Sequence, residues 1–225
     1  MIRVLVVDDQ FLVRSGLVAL LRAAPGMEVA GEAADGAEAV AVAARTRPDV
    51  ILMDIRMPGM TGIEATERIL AEATDPAPRV LVLTTFDLDE YVYGALRVGA
   101  SGFLLKDAGP DRLLAAVTAV HGGDALFAPA VTRRLVEAYT SRAAAPPETG
   151  PPPGLEALTG REVEVLTLVG RGLTNAEAAD RLFISEATVK THLNRTMAKL
   201  GLASRAQAVV LAYETGLVTP GASGG

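Results

Sequence analysis

Residues 48–60 read PDVILMDIRMPGM. Four apolar residues, Val50 to Met53, run straight into the carboxylate of Asp54, and Met57-Pro58-Gly59 follow close behind. An apolar run of this length, bounded by turn residues, is the pattern of a buried strand. Buried strands of this kind belong to parallel sheets covered on both faces. In such sheets ligands sit beyond the carboxyl ends of the strands, where the strand order reverses. The question is whether other strands of the chain end on chemistry-bearing residues too.

They do. Short β-branched runs, IRVLVV, MEVAGEA, DVILM, RVLVL and GFLL, alternate through the first 120 residues with segments of helical spacing such as FLVRSGLVALLRAA and AEAVAVAART. Later helical segments begin near Gly62, Asp89 and Asp111. Pro25-Gly26, Pro48, Gly99 and Gly122-Gly123 stop the helices. Five strands alternating with five helices predict a doubly wound α/β domain. Its first strand ends in Asp8-Asp9, its third in Asp54, its fourth in Thr84-Thr85, and its fifth runs into Lys106. Each has an ordinary reading alone: strand-end acids make turns or cap helices, and most lysines are solvated. Together they place acids, a hydroxyl and an amine on one rim, where Asp54 need not be buried. A self-repelling carboxylate cluster calls for a divalent cation, and oxygen ligands suit Mg²⁺. Aspartate can act as a nucleophile, and phosphoryl transfer needs chiefly positioning and charge neutralisation.

These motifs resemble a known family. VLVVDDQ, VILMDIRMPGMTGIEA, VLVLTTF and GASGFLLKDA look like the receiver domain of bacterial response regulators, over roughly residues 2–121. The resemblance implies a flavodoxin-like (βα)5 fold with strand order 2-1-3-4-5. It implies Asp54 as phosphoacceptor, served by a sensor histidine kinase. Asp9, Asp54 and the Arg56 carbonyl would bind Mg²⁺, with Asp8 acting through water. Thr84 and Lys106 would contact the phosphoryl group, and Thr84 and Phe103 would carry the switch. The family often has Tyr where Phe103 stands, so a switch through a tyrosine hydroxyl is excluded here. Aspartyl phosphatases also use a strand-end Asp, but need a second acid two residues on. Arg56 occupies that position, so an enzyme is disfavoured. No Gly-rich phosphate loop of the G-x-x-x-x-G-K-[ST] or G-x-G-x-x-G type is present.

Residues 143–154, AAAPPETGPPPG, read as an extended linker of about 3 Å per residue. A short helix is expected before it, within residues 122–154. Residues 155–217 change character: helices are expected near 160–171, 174–182, 186–200 and 204–215. Thr174 with Glu177 forms a capping-box pattern, and Ser185 can cap the next helix. Two helices around a turn at Phe183-Ile184 have helix-turn-helix spacing, with Ala178, Leu182, Val189 and Leu193 facing a small core. The second carries Lys190, Arg195 and Lys199 against the single acid Glu186. Its exposed face presents Thr188, Lys190, Thr191 and Asn194, the hydrogen-bonding and cationic groups that base edges and phosphates require. Residues 158–213 resemble the LuxR-type helix-turn-helix. This implies binding of double-stranded DNA, with Lys190, Thr191 and Asn194 towards the groove and Thr188, His192 and Lys199 towards phosphate or sugar. Gly160 stands where Pro is common, and Thr196-Met197 replace the usual aliphatic pair. The last helix offers Ala206, Val209, Val210 and Tyr213 on one side, read either as domain core or as a homodimer contact. Residues 218–225 read as a disordered tail. The whole chain is similar to NarL/FixJ-type response regulators.

The bulk numbers agree. Of a net charge of -6, residues 1–154 hold 14 Lys/Arg against 20 Asp/Glu, and residues 155–225 hold 7 against 7. An acidic total argues against a simple polybasic nucleic-acid binder, but not against a locally basic helix. Absence of cysteine excludes disulfides and thiolate metal sites. His121 and His192 are the only histidines, and neither has metal-ligand company. The first apolar run is too short for a signal segment, and no run approaches membrane-spanning length. A cytoplasmic protein is expected. A module switched by a ligand or partner protein, without phosphate, stays open as the rival reading.

Overall fold

The computed structural model describes residues 1–73, 76–84, 91–123, 155–202 and 204–218, without the side chains of residues 91–93. The chain divides into two compact units, Met1–Ala128 and Pro129–Gly225.

In the first unit, strands β1 (Ile2–Val7), β2 (Met27–Ala33), β3 (Val50–Asp54), β4 (Arg79–Thr84) and β5 (Gly102–Leu105) alternate with helices. These are α1 (Phe11–Ala23), α2 (Gly36–Thr46), α3 (Gly62–Glu72), α4 (Tyr91–Arg97) and α5 (Pro110–Gly122). Every pairing is parallel and the order is β2-β1-β3-β4-β5, as expected. The order reverses between β1 and β3, the point at which such sheets place their ligands. The register decides what arrives there. Val7 lies opposite Met53, so Asp8 and Asp54 come next on neighbouring strands. Thr84 lies opposite Leu105, one residue before Lys106.

β3 is buried along its whole length, which explains its unbroken apolar run. Val4, Val6, Leu52, Leu81 and Leu83 form one core with Val18 and Leu21 of α1 and Leu113, Ala116, Val117 and Val120 of α5. The alternate residues Leu5, Val7, Ile51, Met53, Val80 and Val82 are equally buried and point to the other face by strand parity. Each large side chain so buried contributes about 1.5–3 kcal/mol. Side-chain caps open α2 and α3. Asp35 accepts the Glu38 N–H at 2.8 Å, and Thr61 with Glu64 forms a reciprocal box. α5 starts at Pro110, one residue before the expected Asp111, because Pro suits the first helical position. The expected start of α4 at Asp89 lies outside the described residues.

The second unit contains α6 (Gly160–Gly170), α7 (Asn175–Leu182), α8 (Glu186–Leu200) and α9 (Arg205–Glu214). Each opens on a hydroxyl cap, Thr159, Thr174, Ser185 and Ser204, which accepts a backbone N–H of the first turn. Gly160 therefore does not loosen its helix start: Thr159 and Glu162 close a complete capping box around it. Val165, Leu166, Val169, Ala178, Val189 and Leu193 are buried, while Leu182 is half-buried. Ala206, Val209, Val210 and Tyr213 are buried in the single chain. These four side chains therefore belong to the core of the unit. Residue 218, expected as the first of the tail, belongs to the folded unit. Val218 is buried and donates its N–H to the Ala212 carbonyl at 2.9 Å. Residues 124–154, with the linker and its short helix, and residues 219–225 lie outside the described residues. Among the described residues, no helix is long and apolar enough to cross a membrane.

Candidate functional site

The carboxylate oxygens of Asp8, Asp9 and Asp54 lie within 4.8 Å of one another. Lys106 joins them, its Nζ 2.8 Å from Asp8 Oδ2 and 2.8 Å from Asp54 Oδ2. One expectation needs correcting. Asp54 is not left out in water at the rim: it is 6% exposed, Asp8 is fully buried, and only Asp9 is open. Burial is tolerated because the ammonium is shared between the two buried acids, and an unpaired buried charge would cost far more. The sharing is incomplete, with three acids facing one amine. Burial pushes the Asp54 carboxyl above its usual range, and the Lys106 ammonium opposes that rise. Burial would lower Lys106, but its bonds to Asp54 and Asp8 outweigh it and hold the ammonium above its ordinary value.

The donor set fits a hard divalent cation. All three groups are carboxylates, as Mg²⁺ prefers. Asp8 Oδ2 is buried, with the Lys106 ammonium 2.8 Å away as its one charged neighbour among the described contacts. A carboxylate oxygen can accept more than one partner, so it has capacity left for a cation or its water.

Local structure holds these groups in place. Asp8 Oδ1 accepts the Gln10 N–H at 2.9 Å, and the Asp8 N–H donates to the Ala33 carbonyl. Arg14, one turn into α1, donates from Nη1 to the Asp8 carbonyl at 2.6 Å and pairs with Glu32 of β2 at 3.6 Å. Gly62 is a second device. Its N–H donates to the Ile55 carbonyl, and a Cβ there would fall 1.9 Å from the Asp54 carbonyl oxygen. Only glycine lets α3 begin this close to the end of β3. Thr84 is buried at the end of β4, and its carbonyl accepts the Lys106 N–H at 2.9 Å. The Arg56 side chain is exposed. Phe103 is buried within β5, its ring turned into the fold.

The second site lies on α8. Val189, Leu193 and Thr196 face inward, whereas Lys190, Thr191 and Asn194 are exposed and Thr188 and His192 are half-buried. Ser185 caps the helix, accepting the Thr188 N–H at 3.2 Å. Thr191 Oγ1 donates back to the Ala187 carbonyl. Lys199 differs from the others, with Nζ 2.7 Å from Glu162 Oε2 on α6. This pairing gives it a place inside the domain that its sequence position does not suggest. Glu162 thereby serves twice, capping α6 and anchoring α8. The Lys199 ammonium first, then the Thr159 N–H, hold its carboxyl down at about 2. Arg205 ties α9 to the turn before α7, donating to Asn175 Oδ1 and the Leu173 carbonyl.

Reading the chain alone missed Arg14, Gly62, Glu162 and Arg205. Glu162 was findable, since Thr159 to Glu162 has capping-box spacing. The others act through contacts between different elements, which no local pattern announces.

Residues 4–118 match the family described as response regulator receiver domain, and residues 156–212 match bacterial regulatory proteins, luxR family. The chain is 44% identical to the uncharacterized transcriptional regulatory protein YxjL of Bacillus subtilis, covering 96% of this chain and 97% of that one. It is 43% identical to the transcriptional regulatory protein LiaR of the same organism, covering 97% and 100%. Among solved structures, the response regulator ChrA of a heme-sensing two-component system superposes with a TM-score of 0.50 at 38% identity, covering 96% and 98%. The acidic rim of this chain falls within the receiver match and its helix-turn-helix within the luxR match, and the chain belongs to the NarL/FixJ-type two-component response regulators, with a receiver and a LuxR-type DNA-binding domain.

Proposed function

We propose that Asp54 accepts a phosphoryl group from a sensor histidine kinase and that the adduct controls promoter binding by the helix-turn-helix. The observation that carries this is the Asp8–Asp9–Asp54 cluster with Lys106 bridging two of its members. An Asp54 carboxylate oxygen attacks phosphorus, and the bond from phosphorus to the donor breaks, its electron pair leaving with the donor. Asp9, Asp54 and the Arg56 carbonyl would hold Mg²⁺, with Asp8 acting through water; the bound ion supplies neutralisation of phosphoryl charge. Lys106 exchanges part of its pairing with Asp54 for the incoming oxygens, and the Thr84 hydroxyl donates to them. The protein acts as a stoichiometric switch with at most slow self-dephosphorylation, not as a turnover enzyme.

Phosphorylation shifts an existing equilibrium by the phosphoryl group's differential interaction with the two states, read out through Thr84 and the Phe103 ring. In this reading residues 1–121 receive, 122–154 connect, and 155–217 bind double-stranded DNA as a homodimer on two half-sites. Lys190, Thr191 and Asn194 read the groove; Thr188, His192 and the remaining donor capacity of Lys199 meet phosphate or sugar. A DNA partner and a kinase donor put this work in the cytoplasm.

Acetyl phosphate with Mg²⁺ should label the wild type and not Asp54→Ala; equal labelling of both would sink the assignment. Lys190→Ala should weaken binding to a selected duplex by about 1–3 kcal/mol if it reads a base.

A further inference from the structure

Phe183 is the most exposed large apolar residue described, at 95%, and it sits in the turn between α7 and α8. Its backbone has φ +54° and ψ +45°, the left-handed region, where an aromatic residue is strained and Gly or Asn is the ordinary choice. The strain serves a helix-ending turn: the Phe183 N–H bonds to the Ala179 and Asp180 carbonyls, and the Ile184 N–H to Ala179. That turn is clamped from outside, since Arg161 Nη2 donates to the Leu182 carbonyl at 2.8 Å. A rigid turn therefore holds a bare phenyl ring where glycine would make the same turn more cheaply. The ring contributes little to the fold.

Its place in the motif says what it meets. In a helix-turn-helix the first helix crosses the sugar-phosphate backbone and the second enters the groove by its N-terminal residues. A turn joining them passes along the groove wall. Phe183 precedes the α8 cap, Ser185, by two residues. We propose that Phe183 packs on the deoxyribose wall of the bound duplex and contributes affinity without reading sequence or charge. This rests on the DNA-binding reading above and adds an apolar contact to its polar set.

The test uses the full chain and the duplex that the wild type selects from a random-sequence pool, with acetyl phosphate and Mg²⁺ present throughout. Phe183→Gly relieves the left-handed strain, so its melting temperature should equal or exceed that of the wild type. Its affinity should fall about three- to tenfold, the value of burying roughly half a phenylalanine side chain. The slope of log K against log[salt] should not change, because that slope counts neutralised phosphates. Phe183→Leu should recover part of the loss. Unchanged affinity in Phe183→Gly overturns the proposal. So does a changed slope, or a loss of affinity that tracks a lower melting temperature. Altered self-association without DNA, by sedimentation, overturns it in favour of a contact between copies. If the wild type selects no duplex, the DNA-binding reading fails first; if it selects one and Phe183→Gly binds equally, only the Phe183 contact fails.

Discussion

Thr196 is fully buried on the inner face of α8, in line with Val189 and Leu193, and its Oγ1 has no hydrogen-bond partner. A hydroxyl buried without a partner costs about 1–3 kcal/mol by mutational measures. Thr196→Val replaces that hydroxyl with a methyl of similar size. Helix propensity barely separates the two residues, so it neither helps nor hinders. The substitution should stabilise the C-terminal unit by about 1–2 kcal/mol, or roughly 5–15 °C in melting temperature for a unit of this size. Scanning calorimetry of the full chain should show one transition moved and the other in place. Thr196→Ser, which keeps the hydroxyl and opens a methyl-sized gap, should lower the same transition. If Thr196→Val melts at or below the wild-type temperature, the hydroxyl is satisfied in solution, by the helix carbonyl one turn back or by a buried water, and the reasoning fails.

Two further predictions concern the contacts that hold the sites. Gly62→Ala places a methyl 1.9 Å from the Asp54 carbonyl oxygen; it should destabilise the receiver by about 1–3 kcal/mol and lower acetyl phosphate labelling, both read on one purified sample. Glu162 links stability to pH. Its carboxyl is held at about 2, below its ordinary value of 4.5, by Lys199 and Thr159, so its contribution is present above about pH 4.5 and lost as pH falls towards 2. Denaturant midpoints between those values should drop more steeply for the wild type than for Glu162→Gln, and parallel curves would show that the ion pair does not form in solution.

Much of this was legible in the chain because it is encoded locally. A five-residue run buried on both faces, Val50 to Asp54, can only be an interior strand, and the regular return of such runs between helical segments leaves one architecture. The strand-end residues Asp8, Asp54, Thr84 and Lys106 follow from the same logic, since the parallel register brings those ends together. Capping patterns located α7 and α8 to within a residue, because caps are short-range hydrogen bonds.

What remained hidden depends on distance through space. Whether Asp54 is wet or buried depends on the groups that other elements bring to it, Lys106 among them, 2.8 Å away. Arg14 reaches the Asp8 carbonyl only once α1 packs beside β1. Lys199 looks like any cation on a basic helix until α6 brings Glu162 against it, 37 residues away in sequence. Periodicity and caps state which face a residue occupies and where an element begins. They carry no information on which group stands opposite, and the energy of a buried charge is set almost wholly by that neighbour.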